Sequence, residues 1–466
     1  MNTNNNRNQL THTIKTKHLV MLSLGGAIGT GLFLGSGTVI NESGSLGAIL
    51  AYIFGGCVTY FVMMCLGELS AYMPNTNAFG VYATKFIGPA TGYVIAWTYW
   101  LSWALTLGID FTAAAILMHE WFAHFPIWGW VLIFTALIFT FNIYSTKVFA
   151  ESEFYLSLIK VITVIGFILL GLIVLFNILP MVPVKEYPNT YLNNFSGDNL
   201  FPHGWAGIFT TMLLVNFSFT GTELIAVAAG ESEEPQKSVP KAIKATFWRL
   251  LIMFIGTITI IAFLFPRSQL GIDTDSISSS PFVLLLSQMN IPYVEDIIRF
   301  VIITALLSSA NAGLYGSSRM LWSISNEYHL PKWINYLTKG GVPVYAVIIT
   351  VLGALPGLLL KYFEISTVLN AIIDVSGITM VVVWMSICIC QFNFRRKLLK
   401  EQKLISELPY LSPWYPFPAI IGFIFLFITA VSILLESDRI WSFIFCILFI
   451  VSCYIAYYWK EAPSSR

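Results

Sequence analysis

Twelve apolar blocks run through this chain, each close to the length needed to cross the roughly 30 Å hydrocarbon core of a bilayer. They cover residues 19–40, 46–73, 91–117, 127–144, 154–179, 206–229, 247–266, 296–321, 343–360, 365–392, 416–435 and 440–459. A chain that is 56% hydrophobic and only 11% charged falls well short of the roughly 25% charged residues of a soluble domain. Most of its surface therefore cannot face water. Inside hydrocarbon every backbone N–H and C=O must be satisfied by the protein, which leaves helices or closed barrels. Blocks of about twenty residues are helical, so the expectation is an all-α integral membrane protein with twelve transmembrane helices. The longest polar connections, about 180–205 and 267–295, are too short to bury a core of their own.

Charge fixes an orientation for these helices. With both termini placed in the cytoplasm, 19 of the 25 Lys and Arg residues fall on that side, five outside, and Lys160 within a span. That is the positive-inside asymmetry of a multi-pass protein of the plasma (inner) membrane. The strongest contributions are Lys237, Lys241, Lys244 and Arg249, then Arg395, Arg396, Lys397, Lys400 and Lys403. The Asn-rich start lacks the layout of a cleavable signal peptide and reads as a short cytoplasmic tail. A net charge of +1 gives no reason to expect a nucleic acid; membrane lipid is the expected surrounding. The six cysteines all lie in apolar runs and read as packing thiols. His119, Glu120 and His124 resemble a zinc-protease motif, but three residues rather than two separate Glu120 from His124, at an expected helix end. No metal, no cofactor and no enzymatic cluster is expected.

The most informative stretch sits in the middle of the first span, where Gly25, Gly26, Gly29 and Gly31 fall within seven residues. Each costs a helix about 1 kcal/mol relative to alanine. Such residues either allow close helix packing, as in Gly-xxx-Gly pairs, or open the backbone. These glycines are too nearly adjacent to share one face, which favours a break whose free N–H groups bind a carboxylate. A second interruption, Phe217 to Glu223, follows about 190 residues later, with a glycine flanked by threonines and followed by an acid. Breaks in the first and sixth spans are what a five-plus-five inverted-repeat transporter requires, with its substrate at the midplane between them. The expected division is a cytoplasmic tail at 1–18, a first repeat of helices 1–5 at 19–179 and a second of helices 6–10 at 180–392. Residues 393–466 then hold two extra helices and a cytoplasmic tail.

Six segments in this order resemble the amino-acid permeases of the amino acid–polyamine–organocation superfamily, over essentially the whole chain. They are Gly26–Phe33, Gly67–Pro74, Ser157–Val161, Phe217–Glu223, Gly230–Pro235 with Val239 and Pro240, and Ser317–Leu321. The similarity is greatest to bacterial lysine and arginine permeases and fungal basic amino-acid permeases, whose sixth-span motif reads close to Phe-Ser-Phe-Gln-Gly-Thr-Glu. This chain departs from them at Thr220, where they usually carry Gln. The resemblance implies that the backbones of Ala27, Thr30 and Gly31 grip the substrate's carboxylate and ammonium, with Ile28 and Gly29 of the same stretch in the expected substrate site, and that Phe217 closes over it. It also implies that Lys160 points at the first break, where sodium-coupled members of the same fold hold their ion.

Charges inside a bilayer need a partner or a cavity, because a central Asp or Lys costs at least about 2.5–3.5 kcal/mol on insertion scales. Asp110 and Glu223 are the candidates for a cationic side chain, with Thr220 and Thr222 beside them. Glu223 has a second reading, in which it satisfies backbone donors exposed by the break. Lys160 either snorkels to the inner surface or serves as the coupling group for a proton. Glu68 either reaches water at the inner end of span 2 or belongs, with Glu231 and Asp374, to a gating or supporting shell. The expected function is import of amino acids, lysine or arginine, by proton-coupled symport with alternating access. A neutral amino-acid permease and an amino-acid exchanger are the alternatives.

Overall fold

The computed structural model describes residues 13–176, 194–270, 280–287, 293–328, 330–338, 340–353, 365–402, 405, 408–436 and 439–461. Among these residues the regular structure is all helical, with a single isolated bridge between Ile14 and Ser232. The helices are α1 (Thr16–Ala27), α2 (Thr30–Phe33), α3 (Gly35–Tyr72), α4 (Ala78–Phe86), α5 (Pro89–Trp121), α6 (Ile127–Tyr144), α7 (Thr146–Leu175) and α8 (Gly204–Ser218). They continue as α9 (Leu224–Ala229), α10 (Pro235–Leu264), α11 (Pro281–Ser287), α12 (Val294–Glu327), α13 (Val344–Leu352), α14 (Ile365–Lys400), α15 (Phe417–Ser432) and α16 (Ile440–Glu461). Nine of the described helical segments are long and apolar enough to cross a membrane on their own. The first and sixth expected spans are the split pairs α1–α2 and α8–α9, and the ninth begins as α13. Residues 354–364, which would complete it, lie outside the described residues.

Helices run past the apolar blocks that announced them. α7 starts at Thr146 and α10 at Pro235, eight and twelve residues before the expected starts of their spans, because helix continues into polar sequence that a hydrophobic window discards. The gap expected between the first two spans is only a kink. Gly44 turns α3 with φ +79°, where a side chain would sit 2.4 Å from Pro202 Cδ and 2.7 Å from Asn199 O. The stretch of α3 before Gly44 thus belongs to the first span and the stretch after it to the second.

Packing places α5 at the centre, against α12 and α14, while α3 lies along α10 and α8. Large side chains such as Trp103, Trp384, Tyr52 and Tyr315 fill the interior. The outward faces of α6, α7 and α16 carry Leu132, Leu137, Ile162, Leu169, Leu448 and Ile455, all exposed. In water that surface would drive aggregation; against lipid tails it costs nothing.

Two ion pairs are buried at the end of the bundle where α10 begins and α14 ends. Glu231, just after α9, accepts from Arg319 Nε of α12 at 2.9 Å and from the Tyr315 hydroxyl at 2.9 Å. The Arg319 guanidinium stacks over the Tyr315 ring at 4.0 Å and also donates to Thr146 Oγ1 at 3.2 Å. Glu68 of α3 takes two donors from Arg395 of α14, Nε to Oε1 and Nη2 to Oε2, the latter at 2.8 Å, and the backbone N–H of Ser412 at 2.8 Å. Glu68 therefore does not reach water, because a fork of guanidinium donors meets it inside the bundle.

Removing one partner of such a pair strands a buried charge, whereas removing both does not. Arg395→Met is expected to cost about 3–5 kcal/mol, seen as a lower thermal midpoint of the detergent-purified protein. The double substitution Glu68→Leu/Arg395→Met should regain most of that loss.

Candidate functional site

The two interrupted helices meet backbone to backbone. Gly221 adopts φ +106°, and a Cβ there would fall 2.4 Å from the carbonyl carbon of Gly26 and 2.6 Å from the nitrogen of Ala27. From the other side, a Cβ on Gly26 would lie 2.7 Å from Leu224 Cδ1 and 3.1 Å from Gly221 Cα, and one on Gly31 would lie 2.6 Å from Ser218 Cα. Only residues without a side chain permit this approach. The contact is held along its length by Ser23 Oγ, which donates to Thr222 O at 3.2 Å.

Each break has a defined local geometry. After Ala27, Ile28 and Gly29 leave helical φ/ψ, and α2 resumes at Thr30. Asp110 of α5 sits at that restart, accepting from the Thr30 hydroxyl at 2.6 Å. In the sixth span, residues 219–223 form a run of turns in which Thr220 N donates to Phe217 O and Leu224 N to Gly221 O. Glu223 folds back so that Oε2 accepts from Gly221 N at 2.9 Å, while Oε1 accepts from Trp103 Nε1 at 3.2 Å.

Between the breaks lies a small cavity. Helix one contributes Gly26, Ala27, Gly29, Thr30 and Gly31; helix six contributes Phe217 and Thr220; α5 contributes Trp103, Thr106 and Asp110; α12 contributes Ser309. Seven of the residues expected around a substrate are thus brought together: Ala27, Gly29, Thr30, Gly31, Asp110, Phe217 and Thr220. Ile28, Thr222 and Glu223 do not line the cavity. Ile28 is buried in the core. Thr222 is turned by the conformation of Gly221 toward a separate apolar space shared with Thr59, Met63 and Phe219, and its hydroxyl donates to Phe219 O at 3.0 Å. Glu223 spends both oxygens within the protein, one on the break itself.

Asp110 differs from Glu223 in this respect. Its Oδ1 takes the Thr30 hydroxyl, but its Oδ2 is buried with no hydrogen-bond partner among the described residues. A buried carboxylate oxygen left without a donor costs the full desolvation of that atom, so it is the strongest point of demand in the cavity.

Lys160 lies behind the first break. It is buried in α7, and its Nζ donates to Gly25 O at 2.5 Å. The snorkelling alternative therefore does not describe it, since the ammonium turns inward to a carbonyl of α1. Asp374 lies away from the cavity, 3.5 Å from Arg439 Nε, and Glu231 and Glu68 are held in the ion pairs described above. His119 Nδ1 lies 2.9 Å from Phe125 O, and Glu120 pairs with Arg299.

The amino acid permease family model matches residues 18–462. The chain belongs to that family. Among its curated relatives, this permease is 43% identical over 459 residues to the amino-acid permease RocE of Bacillus subtilis (strain 168), covering 98% of this chain and 97% of the relative. It is 40% identical over 458 residues to a putative histidine permease of the same organism, covering 98% and 95%. It is 38% identical over 418 residues to the lysine-specific permease LysP of Escherichia coli (strain K12), covering 89% and 85%. The permease is thus a multi-pass membrane transporter of amino acids and not an enzyme.

The sequence did not single out Trp103, Thr106 or Ser309 as part of the cavity, nor Glu153 as a buried charge. Trp103, Thr106 and Ser309 stand in ordinary apolar or small-residue helix and carry no local signal. Glu153 lies one residue outside the apolar block that was read as a span.

The permease's contact between its broken helices predicts a sharp response at Gly221. Gly221→Ala is expected to reduce amino-acid uptake at least tenfold and to lower the thermal midpoint. Gly166→Ala, in α7 with nothing within 4 Å of the added carbon, is expected to leave uptake unchanged. Uptake by cells expressing equal amounts of each variant checks both.

Proposed function

We propose that this permease imports cationic amino acids, lysine or arginine, by proton-coupled symport with alternating access. The observation that carries the cationic reading is Asp110 Oδ2, buried at the cavity without a donor. A substrate ammonium or guanidinium supplies that donor, with a charge-assisted bond strengthened by the low dielectric around it. The similarity to the lysine-specific permease LysP supports the same reading. The substrate carboxylate is assigned to the Gly31 side of the first break, and Phe217 to the lid above the site. Thr220 and Thr106 face the side chain.

Lys160 is assigned to proton coupling. Its ammonium is held on Gly25 O, at the end of α1 that leads into the break, so binding at Thr30 and Gly31 and protonation at Lys160 act on the same few residues of backbone. The remaining features of this reading are the five-plus-five repeat with its divisions at 19–179 and 180–392, and cytoplasmic termini in the plasma (inner) membrane. The site makes and breaks no covalent bond of the substrate; its work is to bind differently in outward-open and inward-open states.

A neutral amino acid is the second reading, and one observation favours it. Glu223 is fully used by Trp103 and Gly221, so the cavity offers a single free carboxylate oxygen, which an α-ammonium alone would satisfy.

Uptake into proteoliposomes from a panel of amino acids, under an imposed proton gradient and then a sodium gradient, tests the proposal. Lysine and arginine are expected to accumulate under the proton gradient only, and Asp110→Asn to reduce that uptake about a hundredfold. Lys160→Met is expected to abolish the response to the proton gradient. Competition by leucine but not by lysine or arginine would establish the neutral reading instead. Drive by sodium alone would remove the role given to Lys160, and trans-stimulation without gradient dependence would make the permease an exchanger.

A further inference from the structure

The structure holds a second buried charge beside Lys160 that the proposed transport cycle does not yet use. Glu153 is 1% exposed on α7. Lys160 stands seven positions further along, which places both on one face of the helix, about 10 Å apart along the axis. Its Oε1 accepts from Ser157 Oγ at 3.1 Å and from Ser308 Oγ at 2.7 Å; its Oε2 accepts from Asn311 Nδ2 at 2.8 Å. Asn311 is itself fixed by Asn142 Nδ2 of α6, at 2.7 Å from its Oδ1. These donors are all neutral. The cation that acts on Glu153 is Lys160, and Lys160 in turn interacts with Glu153 and Asp110.

Gly25 joins the two ends of this pair. Its carbonyl receives Lys160 Nζ at 2.5 Å. A Cβ on the same residue would lie 2.1 Å from Ser157 Oγ and 2.4 Å from Glu153 Oε1. Lys160, Ser157 and Glu153 are therefore all packed on the last turn of α1 before the break. The other ionisable groups on the surrounding elements are engaged elsewhere. His18 of α1 pairs with Glu151, and Arg319 of α12 pairs with Glu231. Asp110 of α5 lies on the far side of the break, on Thr30.

We propose that Glu153 is the proton acceptor for Lys160, its Oε1 held by the Ser157 hydroxyl, so that the pair rather than the lysine alone forms the coupling site. The proposal rests on the proton-coupled reading of Lys160. In the transfer, as α1 moves at Gly25, an N–H bond of the Lys160 ammonium breaks and an O–H bond forms on the Glu153 carboxylate. An ammonium and a carboxylate become an amine and a carboxylic acid, and no other reactant enters. The neutral pair is cheap to bury, so α1 can move away at Gly25 without exposing either charge to hydrocarbon. Glu153 is the member nearer the start of α7, the end at which Lys147 lies, and it releases the proton on that side.

Purified Glu153→Gln and Ser157→Ala in proteoliposomes test this with labelled lysine, or labelled leucine if the panel returns a neutral substrate. Three quantities are read: counterflow without a gradient, accumulation under a proton gradient, and acidification of the lumen by a trapped pH dye. Glu153→Gln is expected to keep counterflow, which moves no net proton, while accumulation falls to the equilibrium ratio and acidification drops at least tenfold. Ser157→Ala, which leaves the carboxylate in place, is expected to slow acidification several-fold. If Glu153→Gln accumulates and acidifies as the wild type does, while Lys160→Met does not, the pair is overturned and the lysine stands alone. Loss of counterflow together with accumulation in both variants would mark a purely structural network and also overturn the proposal. A wild type that neither accumulates nor acidifies would remove the Lys160 reading before any variant is examined.

Discussion

Direct contact between two pieces of opened backbone, at Gly26 and Gly221, is the constraint on which the rest of this permease depends. A helix in hydrocarbon can be interrupted only where its freed polar groups find partners. Here each interruption is partnered by side chains from the helices around it. Asp110 holds the Thr30 hydroxyl at the restart of the first broken helix, Glu223 holds the turn of the sixth, and Lys160 takes a carbonyl just before the first break. The cavity exists because these acids and this lysine support backbone that would otherwise close into continuous helix. Close approach and open backbone, which the glycine run left as alternative readings, are both present: Gly26 serves the first and Gly29 the second.

The same economy governs the other buried charges. Glu68 with Arg395 and Glu231 with Arg319 are pairs whose members are distant in sequence. Arg395 meets its carboxylate with two donors, and Arg319 spreads its donors over Glu231, Ser318 and Thr146, as a planar guanidinium can and a lysine point charge cannot. Glu68 meets donors at both oxygens, whereas Glu231 Oε2 and Asp110 Oδ2 are each buried without a hydrogen-bond partner among the described residues, and of these two it is Asp110 Oδ2 that lies at the cavity. An unsatisfied carboxylate oxygen at a cavity is where binding energy is available, and this is why the substrate's positive group is assigned there and not to Glu223.

Much of this was legible in the sequence, and the misses have physical causes. Span number, the two breaks and the unusual charges could be read because apolar length and glycine density are local properties. The direction of a side chain beyond a break is not. Thr222 and Glu223 follow a glycine with positive φ, and one such residue turns the next two away from the face that simple continuation would predict. Glu153 escaped notice because hydropathy marks where lipid lies, not where a helix starts, and α7 begins well before its apolar part. The partners of Glu68 and Glu231 could not be paired from sequence, since nothing local says that Arg395 or Arg319 folds back onto them. Trp103 and Ser309 reach the cavity only through the packing of α5 and α12 around the breaks.

The short bridge at the N-terminus carries a mechanical consequence. Ile14 N donates to Glu231 O at 3.0 Å, and Glu233 N donates to Ile14 O at 3.1 Å. At their other ends α1 and α9 are joined where Gly26 meets Gly221. The two half-helices are thus fastened at top and bottom like the rails of a ladder, with Ser23 on Thr222 as a rung between them. One rail cannot swing without the other unless a fastening gives way. A force applied to the chain's beginning is delivered to the segment after the sixth span, and so to the carboxylate that holds Arg319.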